Sequence, residues 1–112
     1  MDDNTPLTQR HCVPCEGGTP LMDSDSAREM IQQVPGWELG DNKLTRRFKF
    51  RDFAEAMAFV NRVAALAEAE GHHPDIHISW NRVRLELTTH SIRGLSDNDF
   101  IMAARVNGLR GL

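Results

Sequence analysis

Twelve residues, 76 to 87, carry the strongest constraint on how this chain folds. Ile76, Ile78 and Trp80 alternate with His77 and Ser79; then Val83, Leu85 and Leu87 alternate with Arg84, Glu86 and Thr88. Alternation with period two sends successive side chains to opposite faces of a sheet, so each run is a strand with one apolar and one polar face. A two-residue turn at Asn81-Arg82 pairs 80 with 83, 78 with 85 and 76 with 87. Apolar then meets apolar at every pair, and register and face agree. An earlier segment has the same character: Trp37-Glu38-Leu39, a turn through Gly40-Asp41-Asn42-Lys43, and a strand from Leu44 to Phe50. Leu44, Phe48 and Phe50 share one parity, Thr45, Arg47 and Lys49 the other, and Arg46 interrupts the apolar series.

Helical periodicity frames these two hairpins. Ser26-Ala27-Arg28-Glu29 has the form of a capping box, with Ser24 or Ser26 as the cap, and Ala27, Met30, Ile31 and Val34 make one apolar stripe that Pro35-Gly36 ends. Asp52-Phe53-Ala54-Glu55 opens a long helix in which Phe53, Met57, Val60, Ala64 and Ala67 recur at helical spacing, with Ala56 and Val63 beside them. Gly71 stands where such a helix ends in the left-handed conformation. Ser96-Asp97-Asn98-Asp99 caps a last helix through Phe100, Ala103, Ala104 and Asn107 to Gly108. The order α-β-β-α-β-β-α predicts an α+β fold: a four-stranded antiparallel sheet with the helices packed on one face. The opposite face is polar, with His77, Arg84, Glu86 and Thr88, and uncovered edge strands favour pairing with a second copy. Residues 1–20 hold Pro6, Pro14, Pro20 and Gly17-Gly18 without any period and read as an N-terminal arm or loop; residues 21–112 read as a single domain.

A length of 112 residues also suits one domain, and 40% hydrophobic with 26% charged residues is the composition of a packed chain. Thirteen basic against sixteen acidic residues give a net charge of −3. That lacks the basic excess needed to hold a phosphate backbone, so nucleic acid is not an expected partner. No apolar run reaches the ~18 residues of a membrane span, and the first ten residues have no apolar signal core. Two cysteines without an export signal argue against a disulfide framework. The expected location is cytoplasmic.

Four of the five histidines, His72, His73, His77 and His90, fall within nineteen residues. Extending the second hairpin's register outward sets 73 opposite 90, with His72 beside them. Glu68 lies one helical turn before His72, and Asp99, in the first turn of the last helix, is within reach of the same end. Imidazole, with an unperturbed pKa near ~6.5, holds or releases a proton at working pH. Two or three imidazoles around one pocket can give a proton to one atom and take one from another, with neighbouring carboxylates fixing the tautomer. The bland alternative is that each histidine caps a helix end or is solvated, and His77, on the polar face, is read that way. A metal site of His72, His73, His77 and His90 with Glu68 or Asp99 is the rival. Adjacent histidines rarely point at one ion, and no His-Glu-x-x-His frame is present, so no metal is expected. In the arm, His11, Cys12 and Cys15 are three of the four ligands a zinc site needs. Cys-x-x-Cys also suggests redox chemistry, but Glu16-Gly17-Gly18 follows in place of the helix N-terminus that lowers a thiol pKa. Ordinary thiols are the expectation there.

Glu68, three residues, His72-His73-Pro74, five residues, Trp80, nine residues, His90, eight residues, Asp99: in this pattern the chain resembles the pterin-4a-carbinolamine dehydratases. The element order over about residues 22 to 108 is similar to that family's fold, and the Cys-x-x-Cys-Glu-Gly arm is similar to one in some bacterial members. The resemblance implies a hydro-lyase, 4a-hydroxytetrahydrobiopterin dehydratase. It would expel the 4a-hydroxyl left by an aromatic amino acid hydroxylase as water and leave the quinonoid dihydropterin for a reductase, in tetrahydropterin recycling. No metal or organic cofactor is implied. The implied catalytic residues are His72, His73 and His90, the first two as the acid–base pair. Glu68, Pro74, Thr89, Ser91 and Asp99 are the implied substrate-binding residues. Trp80 reads as a core or interface aromatic, and a dimer or tetramer is expected. Branches of this fold also serve as a dimerisation cofactor for a homeodomain transcription factor and as an assembly chaperone for Rubisco. A non-catalytic binding module, or a molybdopterin-related role, is therefore the alternative, and retention of all three motif histidines argues for catalysis.

Overall fold

Two tight turns organise the sheet. The computed structural model describes residues 6–13 and 22–110. In it β1 (Glu38–Gly40) and β2 (Lys43–Lys49) are joined by Asp41-Asn42, both with positive φ (53° and 59°). Asp and Asn tolerate this conformation best after glycine, and it matches the twist of the strands. β3 (Asp75–Ser79) and β4 (Arg82–Leu87) are joined by Trp80-Asn81, one residue earlier than the alternation suggested. Ile78 therefore faces Val83, not Leu85, and Ile76 faces Leu85, not Leu87. Moving the partner by two residues keeps every side chain on its own face, so polarity alone could not separate the two registers. Asn81 decides between them. Its buried side-chain amide donates to the Phe50 carbonyl at 2.8 Å, and its own carbonyl accepts from the Phe50 N–H at 2.8 Å. Trp80 takes φ 50°, which costs an ordinary residue roughly 1–2 kcal/mol, and its indole lies 65% exposed at the tip instead of in the core.

The sheet order is β1-β2-β4-β3, antiparallel throughout, so the hairpins dock through their second strands. Leu44 faces Leu87 and Phe48 faces Val83 across that central pair, and all four are buried. Arg46 shares their parity and opposes Leu85. Its guanidinium stands 4.7 Å over the Phe48 ring and donates to Asn107 Oδ1 and the Pro35 carbonyl, which satisfies the charge beside the core. Gly36 takes φ 89°, a conformation that strains any residue with a Cβ, and a Cβ there would also displace the Arg46 guanidinium, whose carbon would lie 2.7 Å away.

Three helices supply the rest of the core. α1 (Ser24–Met30) is capped by Asp23, whose carboxylate accepts from the Ser26 N–H at 2.7 Å, in place of either serine. α2 (Phe53–Glu70) is capped by Asp52, which accepts from the Glu55 N–H at 2.8 Å. Its buried stripe is Ala56, Phe59, Val60, Val63 and Ala67, turned by about one residue from the expected one. Phe59 takes the central place, 4.7 Å from the Phe48 ring and 5.1 Å from Phe50, while Ala64 and Phe53 are exposed. The bulkiest side chain sets the helix's rotation, since burying a phenylalanine is worth about 1.5–3 kcal/mol and burying an alanine far less. α3 (Asp97–Arg110) buries Phe100, Ile101, Met102, Ala103, Ala104 and Val106. Residues 7–9 of the arm form one 3-10 turn, and Leu7 is buried in the same core. Among the described residues no helix is long and apolar enough to cross a membrane.

Candidate active site

α2 ends at Gly71 (φ 66°, ψ 26°), where the N–H groups of Gly71 and His72 both donate to the Ala67 carbonyl. The chain turns sharply there and delivers His72-His73 between α2 and β3. The two neighbours then diverge. His72 Nε2 bonds Asp99 Oδ1 at 2.6 Å, and His73 Nε2 bonds Glu68 Oε2 at 2.5 Å. Both partners are carboxylates, which accept only, so Nε2 carries the proton in each ring and Nδ1 of the neutral imidazole carries the lone pair.

Asp99 is 0% exposed. Its Oδ2 accepts from the Thr89 hydroxyl at 2.8 Å and from the Ser96 N–H at 3.0 Å, and the Ser96 hydroxyl lies 2.7 Å from that of Thr89. The Ser96-x-x-Asp99 capping pattern thus does two things: it closes the start of α3 and it aims a buried carboxylate at His72. Glu68 holds His73 from solvent, with both side chains more than half exposed.

His90 follows β4 in a 3-10 turn (His90–Ile92) that Arg93 closes at φ 55°, with Thr89 bridged to Gly94. The ladder does not extend to 73 and 90, since β3 begins at Asp75 and β4 ends at Leu87. The histidines meet across a cavity instead. It has a volume of about 250 Å3 and is lined by His72, His73, Thr89, His90 and Ser91, joined by Gly71, Thr88, Asn98 and Val13. Of the other expected site residues, Glu68, Pro74 and Asp99 do not line it: Asp99 and Glu68 stand behind the two imidazoles, and Pro74 follows His73 in the chain.

A larger cavity of about 520 Å3 lies along β2, β4 and β3, lined by Arg47, Lys49, His77, Arg82 and Arg84 among others. It holds a single imidazole, His77, which approaches Glu86 at 3.5 Å, so size and acid–base chemistry point to different places and the chemistry decides. Among the described residues no three His, Cys, Asp or Glu side chains are grouped to hold a metal ion. His11 bonds Glu70 and the Cys12 thiol reaches the Asn98 carbonyl at 3.6 Å; Cys15 lies outside the described residues.

Two residues near the site, Glu70 and Asn98, carry no readable signal in the sequence. Glu70, 5% exposed, accepts from the His11 ring at 2.9 Å, the Cys12 N–H at 2.7 Å and Arg105 at 2.8 Å. The His11 and Cys12 hydrogen bonds, aided by the Arg105 charge, hold its carboxyl below the usual carboxylate range. Asn98 is buried and bonds both backbone groups of Val13. Only contacts across most of the chain give these residues their places.

The α+β fold thus brings three histidines to one small cavity beside a single-layer sheet, two of them held by carboxylates. The chain belongs to the pterin 4 alpha carbinolamine dehydratase family, a family of hydro-lyases, whose model matches residues 19–109. A relative from Methylococcus capsulatus, provisionally named a pterin-4-alpha-carbinolamine dehydratase, is 50% identical over 109 residues, 96% of each chain. The crystal structure of a transcriptional coactivator/pterin dehydratase from Brucella melitensis superposes with a TM-score of 0.77 at 34% identity, over 80% of this chain and 98% of that one. A pterin dehydratase-like protein identified as a RuBisCO assembly factor in the alpha-carboxysome superposes at 0.57 with 32% identity, over 67% and 87% of the two chains.

Proposed function

We propose that this chain dehydrates 4a-hydroxytetrahydrobiopterin to the quinonoid dihydropterin by histidine acid–base catalysis. Breaking the carbon–oxygen bond needs a proton on the departing 4a-hydroxyl. The lone pair of the adjacent ring nitrogen forms the new C=N bond, and a ring N–H proton then leaves. His72 and His73 form the acid–base pair through Nδ1, one as the imidazolium that gives its Nδ1 proton to the hydroxyl and the other as the neutral ring whose Nδ1 takes the ring N–H proton, and His90 binds the pterin and stabilises the developing charge. Asp99 and Glu68 hold the two imidazoles in one tautomer, Thr89 and Ser91 offer polar contacts, and Pro74 keeps the His73 backbone extended. The observation that carries this reading is the convergence of three imidazoles on one cavity, with Nε2 of two of them engaged by carboxylates.

The reaction places the chain downstream of an aromatic amino acid hydroxylase and upstream of a reductase, in the cytoplasm. Its domain is residues 21–112, and the arm of residues 1–20 joins it by sinking Leu7 in the core and setting Val13 at the histidine cavity. Ile78 and Trp80, exposed on and beside the edge strand β3, favour a homo-oligomer, dimer or tetramer. The test is decay of carbinolamine generated in situ by phenylalanine hydroxylase. Wild type is expected to accelerate it, and His73→Ala and His90→Ala to lose about 10²-fold or more of that acceleration. Folded wild-type protein without acceleration would overturn the proposal. The likeness to the RuBisCO assembly factor supports a second reading, a non-catalytic assembly module, for which the same two variants would be silent in a binding assay.

A further inference from the structure

We propose that the arm is a wall of the pterin pocket, and that Val13 is a specificity-determining contact that grips the apolar face of the ring. This rests on the dehydratase reading above. Among the described residues, Val13 is what the arm brings to the lining of the histidine cavity, and it is 65% exposed. The other lining side chains are imidazoles, hydroxyls and an amide, so Val13 brings the apolar surface that a flat heterocycle needs on one side.

The placement of Val13 is built. The Val13 N–H donates to Asn98 Oδ1 at 3.0 Å, and the Asn98 amide donates back to the Val13 carbonyl. One side chain thus reads both backbone groups of one residue, as a neighbouring strand would. One residue earlier, Glu70 accepts from the Cys12 N–H and the His11 ring, and Leu7 is sunk in the core. Ordering a terminal segment costs roughly 1–2 kcal/mol per residue in backbone entropy, and these buried partners offset it. Asn98 also adjoins Asp99, so one turn of α3 positions both the arm and His72. A purely stabilising arm would have no need to set an exposed aliphatic side chain at the cavity. A ligand with a flat ring gains from that contact, whereas a small hydrophilic molecule does not.

The experiment uses the full chain with Val13→Asp, Val13→Ile and Glu70→Ala. KM and kcat are read in the carbinolamine assay, and affinity for biopterin is read by quenching of its fluorescence. Val13→Asp is expected to raise KM and the biopterin Kd by about tenfold with kcat within about twofold, while Val13→Ile stays near wild type. Glu70→Ala, which touches the arm but not the cavity, is expected to raise KM by about threefold or more at unchanged kcat. A structural role alone would lower Tm and leave KM where it was. Unchanged KM and Kd in both Val13→Asp and Glu70→Ala would overturn the inference, and so would a fall in kcat equal to the rise in KM. If wild type neither dehydrates the carbinolamine nor binds biopterin, the dehydratase reading fails and the inference falls with it. If wild type does both and the variants match it, the inference alone fails.

Discussion

Asp99→Asn tests whether the buried carboxylate serves the fold or the chemistry. Asp99 accepts three hydrogen bonds, from His72 Nε2, the Thr89 hydroxyl and the Ser96 N–H. Asparagine keeps one acceptor oxygen. The Ser96 N–H belongs to the backbone and cannot turn away, and Thr89 points at the same oxygen, so the carbonyl will take the Oδ2 place and the amide NH2 will face His72. A donor facing Nε2 forces the proton to Nδ1, which inverts the tautomer without breaking the contact. Each charge-assisted bond replaced by a neutral one forfeits about 1 kcal/mol, and relief from burying a charge offsets part of that. The expected loss of stability is therefore about 1–3 kcal/mol, inside the 5–15 kcal/mol that a domain of this size holds. The rate carries the larger effect: with the lone pair of His72 on the wrong nitrogen, kcat should fall by about 10²–10⁴-fold. Urea unfolding, carbinolamine decay and nitrogen NMR of the His72 ring measure the three parts separately. A folded Asp99→Asn protein with kcat within about threefold of wild type, or with Nε2 still protonated in the neutral ring, would refute the argument.

Other substitutions probe the parts that present the site. Phe59→Ala removes a ring packed against both Phe48 and Phe50 and should cost about 3–5 kcal/mol in urea unfolding; a cost under about 1 kcal/mol would mean that the core closes around the gap. Gly71→Ala meets no atom within 4 Å, so only its left-handed φ of 66° is penalised, and about 1–2 kcal/mol is expected from the same measurement. Asp52→Ala removes the cap of α2 and should cost about 1 kcal/mol, visible as lost helicity on mild heating. Glu70 has a folded pKa below its ordinary value of 4.5, so its contribution is fully present above that value and disappears as pH falls through the depressed one. The stability gap between wild type and Glu70→Gln should therefore narrow over that acid window, and a gap independent of pH there would contradict the assigned network.

Much of this architecture is legible from residue polarity because polarity has a period. The two hairpins, the long helix ending at Gly71 and the Ser96-x-x-Asp99 start of α3 all follow from patterns a few residues long. What escapes such reading has a physical reason in each case. The two candidate registers of β3 against β4 are equally polar-consistent, and the choice lies with Asn81 reaching Phe50, 31 residues away. The rotation of α2 depends on which aromatic partners Phe59 meets. His73 and His90 reach one cavity through two loops and not along the ladder that the outward register implies, because β3 begins at Asp75 and β4 ends at Leu87. Asn98 and Glu70 look like ordinary polar helix residues until the arm lies against them.

That arm has a consequence for how the molecule assembles in time. Cys12 reaches Glu70 across 58 residues and Val13 reaches Asn98 across 85. Loops that long close late, after the local hairpins and helices have formed. Cys12 and Val13 are thus among the last residues to find their place, and no chain lacking α3 can complete the cavity. Hydrogen exchange should record the same order in reverse. The amides of Cys12 and Val13 are expected to exchange through a partial opening that leaves the β2–β4 pair protected. A molecule can then lose its site while keeping its sheet, so pterin affinity would report on the last step of folding.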